Sequence, residues 1–255
     1  MNYFAPRTAA QRYAKGRPDV HSYTIHQLKD FLHLGDKLDR VLDIACGTGL
    51  STKALLEVGK QVYGTDISPE MLELAPDKDL IRYSLAPAED QPFDDRYFDL
   101  ITVSSGVHWF NIEKFLSEAS RLLKNECHLA LYENYFDSSL QKDDDFKDWV
   151  ANTHYKRFPS PPRNRYDWSD ETTRLEGLNY ITEWRSSYSI PMTKQQFACY
   201  LTTQSNVMAC VEAGATTFEE VDNWLDSELD PFFRSGAHPR FIRFGNWIKF
   251  LQKIG

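Results

Sequence analysis

The chain has 255 residues, of which 42% are apolar and 26% are charged, and this composition excludes disorder as its main state. Its 37 acidic and 29 basic residues give a net charge of −8, so nucleic acid is a poor first candidate for a partner. The length predicts one large domain, residues 1–255, or one domain with an insertion.

The chain shows no sign of a membrane or secretion segment. The longest apolar runs, Phe197–Leu201 and Val207–Val211, have five residues, whereas a membrane-spanning helix needs about 20. The first residues have no apolar core of a signal peptide. The cysteines have no metal-ligand spacing and are expected to be free thiols: Cys46, Cys127, Cys199 and Cys210. Free thiols suit a reducing compartment, so we expect a cytoplasmic location.

Strand-like and helix-like segments alternate in the first half of the chain, which predicts a parallel sheet with right-handed crossovers. Five strands are predicted: Asp39–Ala45, Gln61–Asp66, Leu80–Leu85, Phe98–Ser104 and His128–Tyr132. Three helices are predicted between them: Leu50–Val58, Pro69–Leu74 and Asn111–Lys124. The last has the clearest apolar stripe, and Ser68 is the expected N-cap of the second.

The alternation stops after about residue 134. Two further strands are predicted, at Tyr180–Ile190 and at Phe241–Lys253. Thr193–Gln196 and Thr216–Glu219 both fit the capping-box pattern, so each is expected to open a helix.

These elements predict a single domain with a sheet core and additions around it. The core covers about residues 34–134, and strands near 180–190 and 240–252 complete the sheet. The additions are residues 1–30, 135–178 and 192–235, which we interpret as caps rather than as an independent domain.

The segment Val41–Thr52 (VLDIACGTGLST) carries the clearest functional signal. A buried strand containing Asp43 leads through a loop of small residues into a helix. Gly47 and Gly49 allow the backbone to turn tightly and to approach a ligand. Asp66 lies at the end of the next strand, where a carboxylate can accept both hydroxyls of a ribose.

Two ligand classes compete for this loop. A dinucleotide site has the pattern G-x-G-x-x-G, but Thr52 occupies the third glycine position, and Asp43 would repel a pyrophosphate. A ligand with a ribose and a cationic group fits better, and S-adenosylmethionine carries an ammonium and a sulfonium but no phosphate. A tight turn without a ligand is the remaining alternative.

Several motifs together resemble a known family. They are VLDIACGTG, VYGTDIS, APAEDQPF, FDLITVSSGVHWF and CHLALYE, with AQRYAKGRPDV before them and LTTQS after them. With these motifs the chain resembles the class I S-adenosylmethionine-dependent methyltransferases of type 11, and it is similar to the trans-aconitate methyltransferases. The resemblance implies an α/β fold: a Rossmann-like, doubly wound, seven-stranded sheet with the last strand antiparallel and helical cap additions.

The same resemblance implies methyl transfer from S-adenosylmethionine to a small-molecule acceptor. Two other functions stay open: an NAD(P)-dependent oxidoreductase, which Thr52 and Asp43 disfavour, and a catalytically silent cofactor-binding module. The expected partner is the small acceptor, without nucleic acid or membrane, in a monomer or homodimer. The histidines have no metal-ligand spacing, so no metal is expected.

The resemblance also implies roles for individual residues. Gly47 and Gly49 line the methionine part of the cofactor, Asp43 lies near its ammonium, Asp66 holds the ribose and Ile67 packs on the adenine. The other positions assigned to the cofactor are Tyr13, Arg17, Ala45, Ala88, Glu89, Ser104 and Ser105.

One position departs from the family pattern. Pro87 stands where relatives often have an acid that bonds the adenine amino group, and proline has neither that side chain nor an N–H. Glu89, or backbone groups around Ala88, are therefore expected to replace it.

His108 is the candidate catalytic residue, because it follows the carboxyl end of the fourth strand, where open α/β sheets bind ligands. It could be a base, or it could shape the pocket wall. Trp109 could line the acceptor pocket or pack in the core. The resemblance points to a carboxylate acceptor, which needs no base and which Arg17 and one arginine of residues 157–165 would hold.

A basic and aromatic segment follows at residues 155–168. Its basic residues are Lys156, Arg157, Arg163 and Arg165, interleaved with Tyr155, Phe158, Tyr166 and Trp168. This pattern is compatible with recognition of an acidic or nucleic ligand, but we favour a solvated cap loop.

Overall fold

The computed structural model describes residues 7–76, 79–140, 143–164, 166–233 and 238–255. The chain divides into two compact units. Unit 1 comprises Met1–Pro18, Tyr135–Pro162 and Ser186–Gly245, and unit 2 comprises Asp19–Asn134, Arg163–Arg185 and Asn246–Gly255. The interpretation of the whole chain as one domain stays a prediction.

The described residues form a sheet of seven strands in the order β3-β2-β1-β4-β5-β7-β6. The strands are β1 Leu38–Ile44, β2 Gly59–Asp66, β3 Ile81–Leu85, β4 Phe98–Ser104, β5 Leu123–Leu140, β6 Leu178–Met192 and β7 Arg240–Lys253. Strands β1 to β5 pair in parallel, and the last strand is antiparallel. The predicted Rossmann-like, doubly wound α/β sheet is confirmed.

Helices connect and flank these strands. They are α1 Arg7–Gly16, α2 His21–Phe31, α3 Leu50–Ala54, α4 Pro69–Glu73, α5 Ile112–Leu122, α6 Asp144–Trp149, α7 Tyr155–Arg157, α8 Asp170–Arg174, α9 Lys194–Leu201, α10 Ser205–Glu212, α11 Phe218–Glu228 and α12 Asp230–Phe233. Ser68 caps α4 as predicted, since its side chain accepts a hydrogen bond from the Met71 N–H. Within the described ranges, no helix has the length and apolar character needed to cross a bilayer.

Strand β5 is much longer than the predicted His128–Tyr132. Its pairing with β4 shifts register between Phe98 and Leu100, and Glu126 has a left-handed backbone with φ 60°. Ser138, further along the strand, also has a positive φ of 61°. Such irregularities interrupt the two-residue alternation by which a strand is recognised in a sequence. The prediction therefore found only the regular, buried middle of this strand.

Two apolar clusters form the core of unit 2. One contains Leu42, Ile44, Ile101 and Val103 with the buried face of α5. The other contains Val41, Leu100 and Ala130 with Ile25 and Leu28 of α2. Because successive side chains of a strand point to opposite faces, these clusters cover the two faces of the sheet. They hold the carboxyl ends of β1 and β4 side by side.

The core of unit 1 is mainly aromatic. Its fully buried rings are Phe146, Phe158, Phe197, Tyr200, Phe233 and Phe244. Helix α1 packs on α9 at Gly16, where an added Cβ would lie 2.6 Å from the Cys199 carbonyl oxygen. On the same helix, the Arg12 guanidinium pairs with Asp222 at 3.1 Å and lies over the Phe218 ring.

The first predicted capping box is confirmed and the second is shifted by one residue. Thr193 caps α9 reciprocally with Gln196. Helix α11 is capped by Thr217, whose hydroxyl accepts from the Glu220 N–H at 3.2 Å, while Glu220 accepts from the Thr217 N–H at 2.8 Å. The prediction of Thr216 was wrong, because both threonines precede a glutamate by three residues and the pattern alone does not separate them.

We expect Thr217→Ala to destabilise unit 1 by about 1 kcal/mol, the usual loss when a helix N-cap is removed. Thr216→Ala is the matched control, because its hydroxyl makes exposed bonds to Glu220 and to the Thr217 carbonyl and does not accept from a helix N–H. Urea denaturation followed by the fluorescence of Trp224 on α11 measures both changes. Equal losses in the two variants would contradict the assignment of the cap.

Candidate functional site

The carboxyl ends of β1, β2 and β4 meet at one edge of the sheet in unit 2. Asp43 of β1 lies in register with Gly64 of β2 and with Thr102 of β4. The loop from β1 into α3 leaves this edge, and β2 ends beside it at Asp66. Ligands of open α/β sheets bind at such an edge, so the functional residues predicted in this unit lie where a site is expected.

Asp43 is fully buried, and both oxygens of its carboxylate accept hydrogen bonds. The hydroxyls of Ser51 and Thr52 donate to Oδ2 at 2.6 and 2.8 Å, and that of Thr102 donates to Oδ1 at 2.9 Å. Burial raises the pKa of Asp43 to about 6, although the three hydroxyls act in the opposite direction and the nearby charge of Asp66 adds to the rise. The carboxylate therefore fastens the start of α3 to β1 and β4.

The loop after β1 is built from left-handed residues. Ala45, Gly47 and Gly49 have φ of 57°, 55° and 78°. At Gly49 an added Cβ would lie 2.6 Å from the Tyr83 hydroxyl, whereas at Gly47 it would meet no heavy atom within 4 Å. The loop is tight on the side of Tyr83 and open in front of Gly47, so a ligand can approach the backbone there.

Asp66 holds the loop from the end of β2. Its carboxylate accepts from the Gly47 N–H at 2.8 Å and from the Ser68 N–H at 2.9 Å. Burial raises its pKa, and these backbone bonds oppose the rise. The next residue, Ile67, is 64% exposed, which is unusual for a large apolar side chain beside a buried strand end.

The segment after β3 contains Ala88, which is buried, and Glu89. Glu89 Oε1 accepts from the Asn111 N–H at 2.7 Å, and Asn111 is the N-cap of α5. The Pro87 carbonyl accepts from the Gln91 side chain at 2.6 Å. One Glu89 oxygen is therefore engaged at a helix terminus, and the choice between Glu89 and backbone groups around Ala88 stays a prediction.

The end of β4 carries Ser104 and Ser105. Ser105 has a left-handed backbone with φ 56°, and its N–H donates to the Tyr132 carbonyl of β5 at 2.9 Å. A positive φ in a residue other than glycine is strained and is kept only where surrounding contacts hold it. The end of β4 is thus joined to the middle of β5.

His108 lies in a short 3₁₀ turn, Val107–Trp109, just beyond β4. Burial lowers its pKa to about 4, and the positive charge of Arg163 contributes to the decrease. Arg163 in turn pairs with Glu133 at 3.5 Å. His108 is therefore neutral at physiological pH, and its imidazole is too weakly basic to take up a proton readily there.

Trp109 is 39% exposed, and its ring centroid lies 4.7 Å from that of His108. This exposure favours the pocket-wall interpretation over core packing. The neighbouring segment is fixed by Asn164, whose side-chain amide donates to the Phe110 carbonyl at 2.8 Å.

Tyr13 and Arg17 belong to unit 1, unlike the other predicted site residues. The Arg17 guanidinium donates to the Thr203 carbonyl at 3.1 Å and lies over the rings of Tyr13 and Tyr200. Its Nε is buried without a hydrogen-bond partner. Across the part of unit 1 that the structure describes, no carboxylate pairs with it.

The basic and aromatic segment is divided between the two units. In unit 1, Arg157 stacks 4.5 Å over the Trp224 ring, as a residue of a packed cap does. Arg163 belongs to unit 2 and pairs with Glu133, while Arg165 lies outside the described residues. Among the residues in view, no three His, Cys, Asp or Glu side chains are grouped so that they could hold a metal ion.

The sequence analysis missed a polar cluster beside the middle of β5. His21 Nδ1 lies 3.2 Å from the Tyr132 hydroxyl. Thr24, Asn134 and Asn246 are buried and hydrogen-bonded to one another beside this pair. The usable signal was that His21 and Thr24 share one face of a predicted cap segment, because residues three apart on a helix are neighbours.

Comparison with known proteins agrees with this geometry. Residues 42–131 match the family described as "Methyltransferase domain". An uncharacterized methyltransferase of Mycobacterium tuberculosis is 30% identical over 189 residues, which are 69% of this chain and 70% of that protein. A candidate methyltransferase of Dictyostelium discoideum is 29% identical over 189 residues, with 71% and 70% coverage.

Solved structures show the same fold. A candidate type II methyltransferase from Anaeromyxobacter dehalogenans has a TM-score of 0.68 at 17% identity, covering 96% of this chain and 95% of that one. Phosphoethanolamine N-methyltransferase 2 of Haemonchus contortus, in complex with S-adenosyl-L-methionine, has a TM-score of 0.57 at 20% identity, covering 98% and 58%. From the relative at 30% identity, the matched domain and the fold together, the chain belongs to the class I S-adenosylmethionine-dependent methyltransferases.

Proposed function

We propose that the chain binds S-adenosylmethionine at the carboxyl edge of β1 and β2 and transfers its methyl group to a small-molecule acceptor. The observation that carries this proposal is the open space in front of Gly47 beside the carboxylate of Asp66. A tight turn without a ligand would have no reason to keep both an open left-handed glycine and a half-buried carboxylate beside it.

The residues at this edge fit the cofactor by their chemistry. Each Asp66 oxygen accepts one backbone N–H, and a carboxylate oxygen has a further lone pair for a ribose hydroxyl. Ile67 is exposed next to it and offers an apolar surface to an adenine. The backbone near Ala88 is the proposed partner of the adenine edge, and Ser104 and Ser105 are proposed to back the cofactor.

Charge supports this cofactor over a dinucleotide. The charge of Asp66 lies close enough to disfavour the ionisation of Asp43, so the loop carries negative potential. A ligand with an ammonium and a sulfonium relieves this repulsion, whereas a pyrophosphate increases it. Asp43 has both oxygens engaged by hydroxyls, so its proposed effect on the ammonium is electrostatic.

When bound, the cofactor supplies an electrophilic methyl group, and the protein contributes binding and alignment. Alignment of the two reactants can contribute about 7–11 kcal/mol to lowering the barrier. Asp66 and the Gly47 backbone are proposed to hold the nucleoside. His108 and Trp109 are proposed to line the acceptor side and to exclude water from it.

The resemblance implies that the acceptor is a carboxylate, and this remains a proposal. Arg163, one of the arginines of residues 157–165 from which a partner of the acid was expected, is already paired with Glu133. Arg17 has no carboxylate partner among the described residues of unit 1. The neutral imidazole of His108 is proposed to orient the acceptor rather than to remove a proton.

S-adenosylmethionine at a hundred times its dissociation constant should stabilise the protein by about 2.7 kcal/mol, while NAD and NADP should not. Gly47→Val should abolish this stabilisation, because the added methyl groups fill the open space. Gly214→Val is the matched control, since Gly214 is also left-handed, at φ 71°, with nothing within 4 Å. Thermal denaturation with each ligand measures both effects. Stabilisation by NAD alone, or persistent stabilisation of Gly47→Val, would contradict the assigned site.

His108→Gln should lower kcat by less than the 10²–10⁴-fold that general-base catalysis typically contributes. Because the pKa of His108 is lowered to about 4, its neutral form persists as the pH falls and is lost only near pH 4. Between pH 5 and 8 we therefore expect the kcat profiles of the wild type and the variant to run parallel. A thousandfold loss, with a break near pH 6.5 that the variant lacks, would show that His108 is a base.

Arg17→Gln should raise KM for a carboxylate acceptor about tenfold or more, because a guanidinium binds a carboxylate through two charge-assisted hydrogen bonds. Arg12→Gln is the control on the same helix, since the Arg12 charge is already paired with Asp222. Labelled methyl transfer to a panel of organic acids gives KM for each variant. An unchanged KM in Arg17→Gln would remove Arg17 from acceptor recognition.

A further inference from the structure

Gln91 lies in the segment after β3, and its side-chain oxygen is buried without a partner. The residue is 4% exposed. Its side-chain nitrogen, Nε2, donates to the Pro87 carbonyl at 2.6 Å. Among the residues that the structure describes, Oε1 accepts no hydrogen bond. Buried polar atoms without a partner are rare in folded proteins, so a hydrogen-bond donor is expected to meet this oxygen.

The orientation of the Gln91 amide is fixed by its surroundings. Nε2 must face the Pro87 carbonyl, because the reverse orientation would place two oxygen acceptors 2.6 Å apart. The backbone is held as well, since the Gln91 N–H donates to Glu118 Oε1 at 2.7 Å and the Gln91 carbonyl accepts from Arg121 at 3.2 Å. Both partners belong to α5. The amide oxygen therefore has a fixed position before a ligand binds.

This amide lies close to the strand end that carries Asp66. The Ala86 N–H donates to the Asp66 carbonyl at 3.0 Å. Pro87 is the next residue, and neighbouring Cα atoms are about 3.8 Å apart. Ala88, whose backbone is proposed to contact the adenine, is buried in the same turn. A base that extends from a ribose at the Asp66 carboxylate would therefore reach the turn that holds the Gln91 amide.

The exocyclic amino group of adenine is a donor that fits this oxygen. It offers N–H groups, and the amide oxygen of a glutamine is an acceptor. Pro87 has neither a side-chain acceptor nor an N–H. Glu89 already uses one oxygen for the Asn111 N–H, at 2.7 Å. The Gln91 oxygen is neutral and buried, so it loses little hydration when a base covers it, whereas a carboxylate loses much.

We propose that Gln91 recognises the adenine amino group of S-adenosylmethionine through Oε1. This inference rests on the proposed function and names a specificity-determining residue for its cofactor. The backbone near Ala88 remains the proposed partner of the adjacent ring nitrogen, so one turn offers both a donor and an acceptor to the base. A site built to accept a hydrogen bond from a ligand rejects an analogue that lacks the donor.

Calorimetric titration of the wild type tests this selectivity without any acceptor. The two probes are S-adenosylhomocysteine, which is the demethylated cofactor, and its analogue with hydrogen in place of the amino group. We expect the analogue to bind about tenfold more weakly, because it leaves the buried oxygen without a donor. The ring nitrogens are the same in both probes, so the comparison isolates the amino group. Equal affinities would overturn the proposal.

Gln91→Leu should bind the two probes with nearly equal affinity, because leucine is similar in size and offers no acceptor. Gln61→Leu is the matched control, since Gln61 is an exposed residue of β2 whose Oε1 accepts from the Tyr63 hydroxyl. It should keep the wild-type ratio of affinities. A purely structural role of Gln91 would weaken both probes in the same proportion, so a tenfold ratio that persists in Gln91→Leu would contradict the assignment.

Glu89→Gln tests the alternative acceptor. A glutamine at this position can keep one oxygen for the Asn111 N–H and replaces the other oxygen by an NH₂ donor. We expect this variant to keep the wild-type preference for the amino group. Loss of the preference in Glu89→Gln, with the preference kept in Gln91→Leu, would assign the recognition to Glu89 instead.

A spectroscopic measurement on the wild type does not depend on how well any variant folds. The ¹³C resonance of the Gln91 side-chain carbonyl should shift when S-adenosylhomocysteine binds, because the oxygen gains a donor, and should shift less with the analogue. Equal shifts with the two probes would count against the proposal.

Failure of this inference differs from failure of the proposed function. If the wild type binds S-adenosylmethionine and S-adenosylhomocysteine but does not distinguish the analogue, the assignment of Gln91 is wrong and the proposed function survives. If the wild type binds neither ligand, the proposed function itself fails.

Discussion

The site depends on one buried charge. Asp43 is fully removed from solvent, and its carboxylate is kept by three hydroxyls from α3 and β4. A buried carboxylate deprived of its partners costs several kcal/mol, so the start of α3 and the end of β4 cannot move independently of β1. The left-handed loop between Asp43 and Ser51 is held at both ends by this arrangement, and Asp66 fastens its middle at Gly47. The backbone of the loop at this edge therefore has a fixed shape before a ligand binds.

The polar row at the sheet edge continues an apolar face. On β4, the apolar cluster that contains Leu100 gives way two residues later to Thr102. Because side chains alternate with a period of two, these two residues point to the same face. That face of β4 is thus core along most of the strand and part of the candidate site at its carboxyl end. The stable apolar core allows residues just beyond the strand to keep a strained backbone, as Ser105 does.

The sequence analysis predicted the features that depend on a local pattern of residues. Strand β4 was predicted with the observed bounds, and the β1 loop was identified from its glycines and acids. Strand β5 was truncated because its register shifts hide the alternation on which recognition rests. The bond from Glu89 to the Asn111 N–H and the pairing of His21 with Tyr132 connect residues 22 and 111 positions apart. No local pattern contains such contacts, since they are created by packing.

The small loop residue Cys46 gives this region a chemical property of its own. Its thiol is buried, and burial together with the charges of Asp43 and Asp66 raises its pKa well above the usual range. Only the thiolate attacks alkylating reagents, so Cys46 is inert while the loop keeps its native form. Cys127, Cys199 and Cys210 are partly exposed, so a reagent reaches them without any opening of this loop. The rate at which the Cys46 thiol is alkylated therefore measures how often the loop opens. A ligand that bridges the loop would slow this alkylation.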